Sequence, residues 1–460
     1  MDSIKKYLPA LGVTLSVVIY VKLGYFHQRS DFGAMMVLFS LLFALTFALY
    51  RSSLSTKKLI YVGVFFRLLL LFVLPNLSDD YFRFLWDGRL SLAGMNPYVY
   101  LPSELMGSNI SVQGIDASLF SQLNSPEYFT IYPPVLQGVF FIGAVASPLG
   151  DLLPGVVAMR LTIVLAEIAT LWVIPKLLQV VGQPQRNILF YALNPLVVVE
   201  LVGNLHFEAL MICFLLFALY FIQKEKILLS AVFMALSITA KLVPLMFLPL
   251  FFFYLGWKKS IKFYFITGFF TLLAFLPFLS VELVEHIGNS VDLYFRKFEF
   301  NASIYYVVRW IGYHVRGYNI IQTAGPRLSL ATLVFILVLM VNQRNSFKDL
   351  LLKMLLSLSV YFFLATIVHP WYVTGVMLLC VFTQFRFGLM WSFLALFSYA
   401  AYRSSSYAEN LWLVGAEYII VYAWLCYEVV VYLNIGKEKA EIVSFFMRIW
   451  GKIRHNRLFE

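Results

Sequence analysis

Charge is what this sequence has least of. Asp, Glu, Lys and Arg make up 13% of its 460 residues, against about 25% in an ordinary soluble domain, which excludes a soluble globular chain. Cysteine is equally sparse: Cys213, Cys380 and Cys426 each lie inside an apolar run, at no metal-ligand or redox spacing, which leaves core filling as their role. Also missing are an internal repeat, a low-complexity tract and any soluble stretch long enough for a separate domain, so the inverted symmetry common in transporters is not apparent.

What fills the chain is hydrocarbon: 61% of residues are hydrophobic and 18% aromatic. Apolar runs near the length of about 20 residues needed to cross a bilayer recur from Tyr7 to Asn434. The fold class is therefore all-α, a polytopic transmembrane helical bundle of about 13–14 spans in a single integral membrane domain over residues 1–460. The spans run near 7–24, 32–50, 58–75 and 157–178, then tightly at 188–202, 205–222, 227–243 and 244–256, then at 263–279, 327–343, 350–367, 370–385, 388–402 and 411–434. Pro133 to Leu149 does not fit as a further span, because it would reverse the side of the basic clusters that follow. Pro133-Pro134 instead predict a re-entrant or interfacial helix. Lys5-Lys6 before a short apolar run resemble a signal peptide, but Lys22 follows with no small-residue cleavage site, so the segment reads as a retained first helix.

The net charge is +11, yet Lys and Arg fall in short clusters between apolar runs, the positive-inside pattern rather than a nucleic-acid surface. Lys5/Lys6, Arg51/Lys57/Lys58, Lys176/Arg186, Lys224/Lys226, Lys258/Lys259/Lys262, Arg344/Lys348/Lys353, Arg386 and the basic tail 435–460 mark the cytoplasmic face, with both termini on it. Two long loops are left for the outer face, 76–132 and 280–326, each mixing charge with aromatic, amphipathic patches suited to helices lying on the membrane.

The most unusual stretch is the polar island Ser78-Asp79-Asp80-Tyr81-Phe82-Arg83-Phe84-Leu85-Trp86-Asp87-Gly88-Arg89, at the mouth of the third span. Adjacent carboxylates there repel each other and cost desolvation energy, so stability alone does not place them. The C-terminal dipole end of the span disfavours their charge, a setting that suits a general base toward a hydroxyl. Arg83, at i+3 and i+4, could instead neutralise them as an ordinary ion pair. Asp87, Arg89 and the tight turn Gly94-Met95-Asn96-Pro97-Tyr98 add a further acid and a second guanidinium.

Together with Ile131-Tyr132-Pro133-Pro134, Tyr191-Ala192-Leu193-Asn194-Pro195-Leu196, Gly203-Asn204-Leu205-His206-Phe207-Glu208-Ala209-Leu210, Ala240-Lys241-Leu242-Val243-Pro244 and His369-Pro370-Trp371-Tyr372, these blocks resemble, in order over most of the chain, the bacterial mannosyltransferase-type members of the GT-C superfamily. The resemblance implies a hexosyltransferase of the bacterial inner membrane. Such an enzyme takes a sugar, mannose first among hexoses, from a polyprenyl-phosphate carrier and transfers it with inversion to a lipid-linked or cell-envelope glycan acceptor at the outer face. It implies no required cofactor, although a carboxylate pair could hold a divalent metal, and it puts the catalytic aspartate at Asp79 or Asp80. Two spans precede the span leading into that loop, where many relatives have none, which leaves the N-terminal hairpin unexplained.

A lipid-phosphate donor needs cations, because the phosphate leaves as an anion. Arg83, Arg89, His206, Lys241, Arg309 and His369, all expected near the outer boundary, are the candidates to hold it. Asp80 and Asp79 form the catalytic pair, Asp80 first because it lies toward the Arg83 and Asp87 face. Trp86, Asp87, Asn96, Tyr98, Tyr132, Asn204, Glu208 and Tyr372 are the expected sugar contacts. Plainer readings stand beside these. Lys241 could snorkel, the polar residues of the Asn204–Glu208 turn could bond that turn alone, and His369-Pro370-Trp371-Tyr372 could belong to an interfacial aromatic belt. His206 and Glu208 share no helical face, so no metal site is expected from these two. Arg160 and Glu167, seven apart, and Arg67 are expected to satisfy partners on neighbouring helices. The sequons at Asn76, Asn109 and Asn301 carry meaning only in a secretory pathway.

Two other functions fit a charged outer loop. A transporter or flippase of lipid-linked sugars would want charges deep in the bilayer and repeat symmetry, and a polysaccharide polymerase or ligase need not have the paired aspartates. The charge clusters make both long loops extracytoplasmic. A membrane-impermeant thiol reagent should therefore modify Ser108→Cys and Asn289→Cys in intact cells; protection of both until lysis would overturn the topology.

Overall fold

The computed structural model describes residues 2–148, 150–341, 346–404 and 407–434; Arg344 and the basic tail 435–460 lie outside the described residues. Among the described residues the chain is built of helices with no strand, and the extended pairing is a single parallel bridge between Phe300 and Ile367. It is an all-α polytopic bundle.

Among the described residues six helices are long and apolar enough to cross a membrane alone: Tyr7–Tyr25, Phe32–Arg51, Leu152–Val181, Trp257–Phe278, Ile321–Val341 and Leu411–Tyr432. Gln185–Ala192 and Val197–Gly203, bent by 54° across Pro195, make a seventh if taken as one broken span. The other expected spans take the form of shorter helices, among them Thr56–Leu69, Glu208–Gln223, Ile227–Ala240, Phe347–Leu364, Pro370–Val381 and Phe387–Tyr402. They can be short because their breaks are buried in protein, where freed backbone groups still find partners. Glu208–Gln223 and Ile227–Ala240 pack as a close hairpin in which Ser230 Oγ donates to Ala218 O at 2.7 Å and Ser237 Oγ to Met211 O at 2.8 Å. Small hydroxyl residues of this kind let apolar helices approach and bond across the seam.

The first long loop opens with the Asp80–Leu92 helix, nearly all of it buried. It lies against the Pro134–Ala146 helix so tightly that a Cβ on Gly88 would stand 2.1 Å from Phe140 O; glycine is the residue this crossing admits. Pro134–Ala146 has 13 residues, too short to cross a bilayer, with prolines at its N-cap and first position. In the second loop, Val281–Arg296 and Ile304–Arg316 are amphipathic helices that leave Val284, Val307, Trp310 and Val315 exposed.

Two buried arginines of the core are fully engaged. Arg67 binds Glu167 through Nε and Nη2, at 2.9 and 2.8 Å, and Glu167 also accepts from the Tyr191 hydroxyl at 2.6 Å. Arg160 does not pair with Glu167. Its guanidinium donates to four carbonyls, Leu71 O, Val73 O, Val202 O and Gly203 O, and so fastens the chain after Thr56–Leu69 to the end of the bent span. Both segments lead directly into the polar blocks that stood out in the sequence.

Candidate functional site

The Thr56–Leu69 helix ends ten residues before Asp79, so the paired aspartates do not stand at its C-terminal dipole end as expected. Arg160 draws off the carbonyls of Leu71 and Val73, the chain unwinds, and Asp79 becomes the N-cap residue of Asp80–Leu92, where the dipole favours negative charge. Arg83 is not their partner. It turns to Asp87 Oδ1 at 2.8 Å and to the carbonyls of Ser125 and Tyr128, keeping only Nη2 unpartnered. The cation on Asp79 is Arg29, from the turn joining the first two helices, at 2.7 Å. Asp80 accepts from Asn124 Nδ2 at 2.8 Å.

On the other side of the Arg160 clamp the chain runs through a π-helix, Val197–Gly203, whose wide turns continue as Asn204 N to Val199 O and His206 N to Leu201 O, at 2.8 and 3.2 Å. Such turns concentrate at functional sites. Leu205 is held at φ 63°, a strained setting for a γ-branched side chain, and this turns His206 inward. His206 Nδ1 lies 2.9 Å from Glu200 O and 3.3 Å from Glu200 Oε2, while Tyr399 OH donates to Glu200 Oε1 at 2.7 Å. The His206 ring stacks on Trp371 with centroids 3.7 Å apart, and His369 stacks on Trp371 at 4.4 Å. Lys241 forms an ion pair with Glu208 and lies 5.0 Å over the Tyr372 ring.

The two sides are joined. Leu77 N donates to Asn204 Oδ1 at 3.1 Å, Phe84 packs on Phe207 at 5.2 Å, and Arg29 lies 4.3 Å over the ring of Tyr402, beside Tyr399. From the second loop, Phe300 exchanges backbone hydrogen bonds with Thr366 and Val368 and sets its ring 4.7 Å from His369. Asp79, Asp80, Asn204, His206, Glu208, Lys241, His369 and Tyr372 thus share one neighbourhood. Four enclosed polar atoms in it have no partner: Asn204 Nδ2, His206 Nε2, Glu208 Oε2 and His369 Nδ1. Buried polar atoms are rarely left so, and this set mixes donors and acceptors.

Other expected contacts lie elsewhere. Trp86 is fully buried with its ring 6.1 Å from Phe120, and Asp87 is closed between Arg83 and Gln137. Arg89 donates to Gly114 O at 2.7 Å and is lowered in pKa by burial, which Asp116 opposes. Asn96 donates to Phe278 O, Tyr98 OH donates to Tyr132 O, and Tyr132 packs its ring on Phe84, so these pin the first loop rather than face the cluster. Arg309 is paired with Glu299 in the second loop. Among the described residues no group of three or more His, Cys, Asp or Glu converges as a metal ligand set.

Sequence reasoning missed Arg29, Glu200, Tyr399 and Tyr402. Glu200 carried a usable signal, a lone carboxylate inside an apolar run. Asn76 and Asn301, noted only as sequons, are hydrogen-bond centres: Asn76 Nδ2 donates to Leu23 O and His27 O, and Asn301 Nδ2 to Val368 O and Glu417 Oε1.

Comparison with known proteins adds a family. The family model described as "Alpha-(1->6)-mannopyranosyltransferase, N-terminal domain" matches residues 13–256, just over half the chain. That region contains Arg29, the paired aspartates, Arg160, the Asn204–Glu208 turn and Lys241. The chain is also similar to alpha-(1->6)-mannopyranosyltransferase B of Corynebacterium glutamicum, 27% identical over 146 residues, 32% of this chain and 23% of that protein. The match thus spans under a quarter of the curated relative's length.

Burial, then the neighbouring His206 and Lys241, push the His369 imidazole down to about 3. It is therefore a neutral hydrogen-bonding group in the cluster, not the cation expected from the sequence. An unfolded chain binds this proton near about pH 6.5 and the folded one only near about 3, so this contribution to stability is level above about pH 6.5 and becomes unfavourable as pH falls, by at most about 1.4 kcal/mol per pH unit. Detergent-solubilised protein should lose melting temperature between about pH 7 and about pH 4.5, and His369→Gln should lose less. Equal losses in the two would contradict an enclosed, neutral His369.

Proposed function

Since this chain belongs to the alpha-(1->6)-mannopyranosyltransferase family and carries at least six helices long and apolar enough to cross a membrane, we propose that it is a multi-pass membrane glycosyltransferase that moves mannose from a polyprenyl-phosphate carrier to a glycan acceptor. The acceptor is a lipid-linked or cell-envelope glycan on the extracytoplasmic face of the bacterial inner membrane. Transfer is inverting, with an aspartate of the Asp79–Asp80 pair as general base. The observation that carries this reading is that Asn204 Nδ2, His206 Nε2, Glu208 Oε2 and His369 Nδ1 are enclosed without partners, and that the turn bearing the first three is tied to the aspartate-bearing chain by the Leu77 N to Asn204 Oδ1 hydrogen bond.

In the reaction an acceptor hydroxyl gives its proton to an aspartate carboxylate as its oxygen bonds to the anomeric carbon. The bond from that carbon to the carrier phosphate oxygen breaks on the opposite side, and its electron pair leaves with the phosphate. Holding both substrates in line across the sugar removes most of the entropic cost of meeting. Lys241, 21% exposed despite its pairing with Glu208, is the cation proposed to face the phosphate as its charge grows. His206 and His369 offer ring nitrogens to sugar hydroxyls, and Trp371, covered on both faces by their rings, holds them parallel.

The deep charges do not favour a transporter. Arg67 and Arg160 spend their donors on fixed partners and Glu167 is bound by both Arg67 and Tyr191, an arrangement that braces helices rather than relays a solute.

Radiolabelled transfer from polyprenyl-phosphate-mannose into a mannoside acceptor tests the proposal. The Asp79→Asn, Asp80→Asn double variant keeps side-chain size but cannot accept the proton, and turnover should fall about 10²–10⁴-fold while the protein remains monodisperse. Near-normal transfer by the double variant would leave the reaction without its base.

A further inference from the structure

The turn between the first two helices holds the chain that leads into the aspartates at several points. Tyr25 OH donates to Leu69 O at 2.9 Å, Asn76 Nδ2 to Leu23 O at 2.7 Å and to His27 O at 2.9 Å, and Arg29 Nη2 to Asp79 Oδ2 at 2.7 Å. Gly24 lies so near Leu70 that a Cβ there would stand 2.7 Å from its Cδ2. The hairpin is therefore part of the site's framework.

From this we infer that Arg29 is a positioning residue that makes the two aspartates unequal, holding Asp79 as an ion-paired carboxylate and leaving Asp80 to take the proton. The inference rests on the reading of an aspartate as general base. Its grounds are the different partners of the two side chains. Asp79 faces a guanidinium that is itself fixed over the Tyr402 ring and aimed at Leu77 O, so protonating Asp79 would strip a held cation of its counter-ion. Asp80 accepts from the neutral amide of Asn124, so a proton taken up there strips no paired cation of its counter-ion. Arg29 also offsets the repulsion between adjacent carboxylates, so that Asp80 can stay beside Asp79 without turning away.

The consequence separates Arg29 from a mere structural contact. If its purpose is to neutralise Asp79, a neutral side chain at position 79 removes the need for it. Kinetics of transfer from polyprenyl-phosphate-mannose should show Asp80→Asn losing about 10²–10⁴-fold in kcat. Arg29→Ala should lose about tenfold, with Arg29→Lys restoring it to within about threefold. The Arg29→Ala, Asp79→Asn double variant should be no slower than Arg29→Ala alone, because the two substitutions remove the same interaction. Arg29→Gln, which keeps the stem and its packing on Tyr402, repeats the measurement if Arg29→Ala does not fold. Multiplied losses in the double variant, or a loss confined to Asp79→Asn with Asp80→Asn spared, would overturn the assignment while leaving an aspartate base in place. Near-normal kcat in both single aspartate variants would instead remove the base itself.

Discussion

One buried guanidinium fixes the geometry on which the rest depends. Arg160, in the first third of the Leu152–Val181 helix, offers a rigid fork of donors, and the fold meets it with the carbonyls of Leu71, Val73, Val202 and Gly203. A full charge with no carboxylate paired to it is costly in a helix bundle, and carbonyls at or just past helix C-termini, which carry the negative end of the backbone dipoles, are the compensation. The same four bonds settle where two polypeptide segments stop being helix. One then enters Asp79–Asp80, the other Asn204–Glu208. Remove the guanidinium and four carbonyls are left buried without donors, at the two places where the site begins.

Around this clamp the site is assembled from segments far apart in sequence. The first loop brings the aspartates, the bent span brings Asn204, His206 and Glu208, and Ala240-Lys241 closes on Glu208. The His369-Pro370-Trp371-Tyr372 turn slides an indole between two imidazoles, and Phe300 ties the second loop to it. Strain at Leu205 and the wide turns before it persist because Asn204 and Glu200 are bonded on either side. Rigidity of this kind lets side chains keep buried polar atoms without protein partners.

Much of this was legible in the sequence for a simple reason: in a chain so poor in charge, each polar block is an intrusion that must be explained. Asp79-Asp80, Gly203-Asn204-Leu205-His206-Phe207-Glu208 and His369-Pro370-Trp371-Tyr372 stood out as blocks, and they do meet. The partners did not show. Arg29 lies in His27-Gln28-Arg29-Ser30-Asp31, which reads as any solvated turn, and the Arg67–Glu167 pairing spans 100 residues. Nearby spacing suggested Arg83 for the aspartates, but on a helix Asp87 at i+4 competes for the same guanidinium and wins. Hydropathy also suggested more full-length spans than the fold makes. A window of apolar residues does not tell a helix in lipid from a short one buried against its neighbours, as Ile227–Ala240 is against Glu208–Gln223.

We propose that one sugar binds between the aspartates and the Asn204–Glu208 turn. Its most direct test is a cryo-electron microscopy structure of the protein with a polyprenyl-phosphate-mannose analogue that cannot be transferred. Sugar hydroxyls should lie within hydrogen-bond reach of Asn204 Nδ2, His206 Nε2, Glu208 Oε2 and His369 Nδ1, with the carrier phosphate on the Lys241 side and the opposite face of the anomeric carbon open toward Asp80. A sugar bound instead along the Trp86, Asn96 and Tyr98 side of the first loop, with those four atoms turned to protein partners, would contradict it.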